Sequence, residues 1–143
     1  MVKDAIKNTI KSWIYGVLVI ILIIFLVNLF VYFFPNPMNQ DLLSFLNNNL
    51  FFILIISFLF FLGNFFYFSK FPINISFPIF QGFGSVLLVK LIINFIIALD
   101  RYTSTGIGRT LEQYSYTIFI SIFIIVLIFG YISVFRRGNR ESI

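Results

Sequence analysis

Four stretches of the chain are apolar almost without interruption, and each is close to the length that crosses a lipid bilayer. They run from Trp13 to Phe34, Leu50 to Phe68, Ile79 to Leu99 and Thr117 to Phe135. A hydrocarbon core of about 30 Å takes about 20 residues of helix. Backbone polar groups in lipid must pair inside a helix or a closed barrel. Barrel strands alternate polar and apolar residues, and runs such as Val17 to Val27 and Phe51 to Ile56 do not. The expected fold is therefore an all-α integral membrane protein, a four-transmembrane-helix bundle forming one membrane domain over residues 1–143. Composition agrees: 60% of residues are hydrophobic and 10% charged, against roughly 25% charged in soluble domains. Too little polar surface remains for a water-soluble globule, and the chain is too hydrophobic for disorder.

Local signals set the helix ends. Pro35 and Pro37 stop the first helix, predicted over 13–34, because proline lacks the amide hydrogen and clashes with the preceding turn. Asn47, Asn48 and Asn49 interrupt the approach to the second, predicted over 50–68. A short helix from Leu42 to Leu46, capped by Asp41, is expected before it. Pro78 suits the first turn of the third helix, 79–99. Thr110 to Gln113 fits a capping box, with Glu112 at a helix N-terminus, which starts the fourth helix near Leu111 and gives 111–135. Apolar residues at positions 2, 5, 6 and 10 predict a short amphipathic helix over Val2 to Lys11, lying on the membrane before the chain turns in. No small-x-small cleavage site follows the first stretch, so it reads as a retained anchor.

Basic residues predict orientation. Lys3, Lys7, Lys11, Lys70, Arg136, Arg137 and Arg140 fall on one side; Arg101 and Arg109 fall on the other. Both termini are thus expected on the cytoplasmic, or matrix-equivalent, side. The net charge of +5 is a topology signal, and no basic domain exists to bind nucleic acid. The sequon at Asn74 lies on the inner side and is expected to be unmodified. The 22 phenylalanines and abundant Ile and Asn reflect AT-rich codons, which points to a prokaryotic cell membrane, with an organellar inner membrane as the alternative.

The missing residues exclude most chemistry. There is no cysteine and no histidine, so thiolate catalysis, iron–sulfur ligation, structural zinc sites and a Ser-His-Asp triad are out. The five acids, Asp4, Asp41, Asp100, Glu112 and Glu141, all lie outside the long apolar runs. An intramembrane carboxylate pair or proton relay is therefore absent. No catalytic residue, cofactor or metal is expected.

Lys90 is the most informative residue. It sits near the middle of the third stretch, where a charge costs ~2.5–3.5 kcal/mol on insertion scales. Such a residue usually faces a bundle interior or a wet cavity and has a partner. Asn94 and Arg101 share its helical face. No acid of the chain lies at its depth, so three explanations compete: a carboxylate from another subunit, a bound anion or lipid headgroup, or a neutral amine hydrogen-bonded to Asn and Ser. Asn28, Ser57, Asn64 and Ser85 are candidates for polar contacts between helices. Gly82 and Gly84 permit close helix approach, and Trp13 and the terminal tyrosines read as interface anchors.

Two loops complete the candidates. Thr103 to Thr110 carries two glycines before a helix start and could cradle an anion with backbone amides, or could be a plain capped turn. Phe71, Pro72, Phe77 and Pro78 bound an almost uncharged loop, which suits the headgroup zone or a protein partner. These readings point to a non-catalytic subunit of a larger membrane complex, with other integral membrane subunits and lipids as partners, one subunit supplying a carboxylate to Lys90. The alternative is a homo-oligomeric small channel or carrier whose anion-favouring path is lined by Lys90, Asn94 and Arg101.

Overall fold

The computed structural model describes residues 2–69 and 72–141. All regular structure among them is helical. The elements are α1 (Val2–Phe33), α2 (Pro37–Asn48), α3 (Leu50–Tyr67), a 3-10 turn (Ile73–Ser76), α4 (Phe77–Thr103) and α5 (Ile107–Glu141). Four segments are long and apolar enough to cross a membrane: Ile6–Phe33, Leu50–Tyr67, Ile73–Thr103 and Ile107–Arg136.

The helix ends follow local chemistry, in places differently from the sequence expectation. The amphipathic N-terminal segment does not turn away: α1 is a single helix from Val2, because nothing between Ala5 and Trp13 breaks the ladder. α2 is longer than expected and starts at Pro37, which occupies the first turn. Asn36 rather than Asp41 caps it, its side chain accepting the Asn39 N–H at 2.7 Å. Asn49 alone separates α2 from α3. Its backbone and side-chain N–H groups both donate to the Phe45 carbonyl, at 3.1 and 2.8 Å, while its own carbonyl accepts from Ile53. α4 ends in a left-handed Ser104 (φ 51°) whose N–H closes on the Asp100 carbonyl at 2.8 Å. α5 starts at Ile107, one turn before the expected capping box, so Glu112 stands exposed inside the helix and caps nothing.

The helices form an open row. α4 packs between α3 and α5, α1 packs on α3, and α2 bridges the ends of α1 and α4. α4 and α5 approach closely at three glycines. A methyl group on Gly82 would meet the Phe123 ring at 2.8 Å, and one on Gly130 would meet Pro78 at 2.7 Å. One on Gly108 would lie 3.1 Å from the Ile97 backbone. Helix association in lipid relies on such contacts, because there is no hydrophobic gain in leaving lipid for a neighbouring helix. Only Val31, Ile56, Ile93 and Val134 among the described hydrophobic residues are counted as buried core. Most of the apolar surface faces outward, as a bilayer-embedded row requires.

Candidate functional site

Phe83, Lys90, Asn94 and Arg101 on one side of α4 are all exposed, and the Phe83 ring lies 5.1 Å from that of Phe123 on α5. Their spacing of seven, four and seven residues keeps them within about 40° of one another around the helix. That is the interval pattern of a helix–helix seam. Lys90 is thus not turned into the bundle. It makes no ion pair or hydrogen bond among the described residues.

The surroundings of Lys90 change along α4. It lies at the midpoint of the 27-residue α4, but α4 is not flanked by apolar helix over its whole length. Gly84 faces Phe60, and Leu88 shares a groove with Ile53 and Ile56. Phe95 then stacks near Phe45 of α2, with ring centroids 5.5 Å apart. These contacts set Lys90 within about one turn, ~5.4 Å, of the level where α3 begins. The polar helix α2 (mostly Asn, Gln, Ser and Asp on its exposed positions) flanks the rest of α4. A lysine stem can carry its ammonium toward that polar end.

At the α2 end, Arg101 lines a cavity of about 220 Å³ with Asp41, Ser44 and Asn48. Asp41 is engaged by Tyr102, whose hydroxyl donates to its carboxylate at 2.6 Å and approaches the Pro37 carbonyl at 3.3 Å. This contact ties α2 to the end of α4. Sequence reading assigned Asp41 to a cap and gave Tyr102 no part.

The turn from Thr103 to Thr110 does bind a carboxylate, and it is the chain's own. Asp100 Oδ1 accepts the N–H groups of Thr105 (3.0 Å) and Gly106 (3.1 Å) and the Thr105 hydroxyl (2.6 Å). Its Oδ2 accepts the Gly108 N–H at 3.2 Å. The amides that could have cradled an external anion are occupied, so the turn is a capped connection between α4 and α5.

The remaining candidates divide. Ser57 accepts the indole N–H of Trp13 at 3.1 Å, a polar contact between α3 and α1. Trp13 is thereby a packing residue, its ring also 4.9 Å from that of Phe61. Asn64 accepts from Gln81 at 3.3 Å, linking α3 to α4. Asn28 serves its own helix, donating to the Ile24 carbonyl at 2.8 Å. Ser85 makes no side-chain hydrogen bond among the described residues. In the loop, Pro72 is exposed and Phe77 half-buried against Tyr67, with ring centroids 4.8 Å apart. Pro78 is fully buried, held in the notch at Gly130, so it is not available to a partner. Phe71 lies outside the described residues.

No family model matches the chain, and neither a curated protein nor a solved structure shows similarity to it.

Proposed function

We propose that the chain is a non-catalytic subunit of a larger membrane assembly, docked through the Lys90–Asn94–Arg101 face of α4. The observation that carries this reading is Lys90 itself: a cation within an apolar helix, exposed and without a pairing acid among the described residues. An ionisable side chain within a membrane helix marks an interaction or a pathway. The seam-like spacing of its neighbours supports a helix as the partner. A carboxylate on that helix would meet Lys90 near the α2 end of the row. Both termini then face the cytoplasmic side, following the basic residues of the ends, and the membrane is a prokaryotic cell membrane by codon bias.

The test is a gentle-detergent pull-down of the tagged full chain from its native membrane, read by native gel and mass spectrometry. A stoichiometric larger partner is expected, reduced in Lys90→Leu and retained in Lys90→Arg. A photo-crosslinking residue at position 94 should capture the same partner. A band holding only copies of this chain overturns the subunit reading. Anion flux in liposomes that disappears in Lys90→Leu would then establish the channel alternative.

A further inference from the structure

A groove of about 900 Å³ runs between α1 and α3, with Leu88 of α4 at its base, and includes none of Lys90, Asn94 and Arg101. This volume falls in the range of small-molecule sites. Its polarity is graded along its length. Toward one end stand the side chains of Asn8, Thr9, Ser12 and Asn64, with Phe68 beside them; Trp13 and Ser57, bonded to each other, stand at mid-length near Phe60 and Phe61; beyond them the walls are Ile20, Ile53 and Ile56. No charged residue lines it. From Asn8 to Ile20 is about 18 Å along α1, close to the ~15 Å depth of half a hydrocarbon core. The lining therefore repeats the profile of a single leaflet: hydrogen-bonding groups at the headgroup level, aliphatic and aromatic walls inward. α1 packs mainly on α3 and α2, at the edge of the row, and its outer side opens to the bilayer.

We propose that this groove holds a resident phospholipid. One acyl chain lies along Ile20, Ile56 and Phe60, and the ester and phosphate oxygens accept from the side chains of Asn8, Ser12 and Asn64. The occupant is a phospholipid and not a soluble apolar ligand, because the mid-length donor Trp13 is taken up by Ser57, Asn8, Ser12 and Asn64 stand toward one end, and the groove's length matches one leaflet.

Trp13 lines the groove and is the chain's sole tryptophan, so its emission reports on the occupant directly. The full chain is reconstituted in phosphatidylcholine vesicles whose acyl chains are either plain or brominated at mid-chain. Brominated lipid is expected to quench most of the Trp13 emission. Native mass spectrometry of the detergent-extracted protein is expected to show a retained phosphatidylcholine adduct, lost in Ile20→Phe, which fills the apolar wall. Ile53→Phe fills it from the α3 side and replaces that variant if it fails to fold by circular dichroism. Emission unchanged by brominated lipid overturns the proposal, since the groove is then covered by protein, a second copy included. Quenching without a retained adduct also overturns it, because the lipid is then only passing annular solvent. An adduct that survives both filling substitutions places the lipid elsewhere and overturns it too.

Discussion

The carboxylate of Asp100 receives the backbone N–H of Gly108 across the turn between α4 and α5, at 3.2 Å. Its other oxygen holds the N–H groups of Thr105 and Gly106. One side chain at the end of α4 thus organises the start of α5. Asp100→Ala should speed hydrogen exchange at the Thr105, Gly106 and Gly108 amides. Asp100→Asn keeps one acceptor oxygen and turns a donor toward the other set, so it should free either the Gly108 amide or the Thr105–Gly106 pair, but not both. Site-resolved exchange in micelles checks this. Equal acceleration at all three amides in the Asn variant would contradict it.

Two glycines should respond to the same substitution with opposite signs. A methyl on Gly130 would meet Pro78 Cβ at 2.7 Å and its Cα at 3.1 Å, and backbone cannot rotate aside. Gly130→Ala should cost about 1–3 kcal/mol, the usual penalty of overpacking. Gly16 has nothing within 4 Å of that position. Gly16→Ala should add about 0.5–1 kcal/mol through helix propensity alone. Reversible unfolding in mixed micelles measures both.

The Trp13–Ser57 bond joins two helices that otherwise share few close contacts. Interhelical hydrogen bonds in membranes average about 0.6 kcal/mol and reach about 1.7 kcal/mol. Ser57→Ala should weaken the protein within that range and shift Trp13 emission to the blue as the indole N–H loses its acceptor. An unmoved emission maximum would show that the bond does not persist in solution.

Asn74 is 8% exposed, and its side-chain oxygen has no hydrogen-bond partner among the described residues. A buried unpaired polar group costs roughly 1–3 kcal/mol. Asn74→Leu, of similar size, should therefore leave stability unchanged or raise it, whereas Asn74→Asp should lower it sharply by burying a charge in the same place. Thermal aggregation midpoints of the two variants in one detergent give the comparison.

The four spans were legible because crossing lipid demands long apolar helices, and little else satisfies that demand. Pro35, Pro37 and Pro78 marked their boundaries through what proline cannot do. The misread positions depend on contacts remote in sequence. Asp41 resembles an N-cap locally, and only the return of α4 brings Tyr102 to it. The loop amides of Thr105 and Gly106 resemble an anion site until Asp100, five and six residues earlier, fills them. That α2 stands upright beside the end of α4, pairing Phe45 with Phe95, is a fact of packing that hydropathy does not carry. Ser57 was legible as a contact, but its partner Trp13 was hidden by the general preference of tryptophan for interfaces.

The three glycine notches between α4 and α5 work together as a vernier. Ile97 to Gly82 on α4 spans the same interval as Gly108 to Phe123 on α5, whereas Gly82 to Pro78 and Phe123 to Gly130 are unequal steps. Sliding one helix past the other by a turn, about 5.4 Å, would drive a ring or a proline into a side-chain-bearing position at several heights at once. The hairpin therefore has a single alignment. The vertical placement of everything α4 carries, Lys90 included, is indexed to α5 before any neighbour arrives.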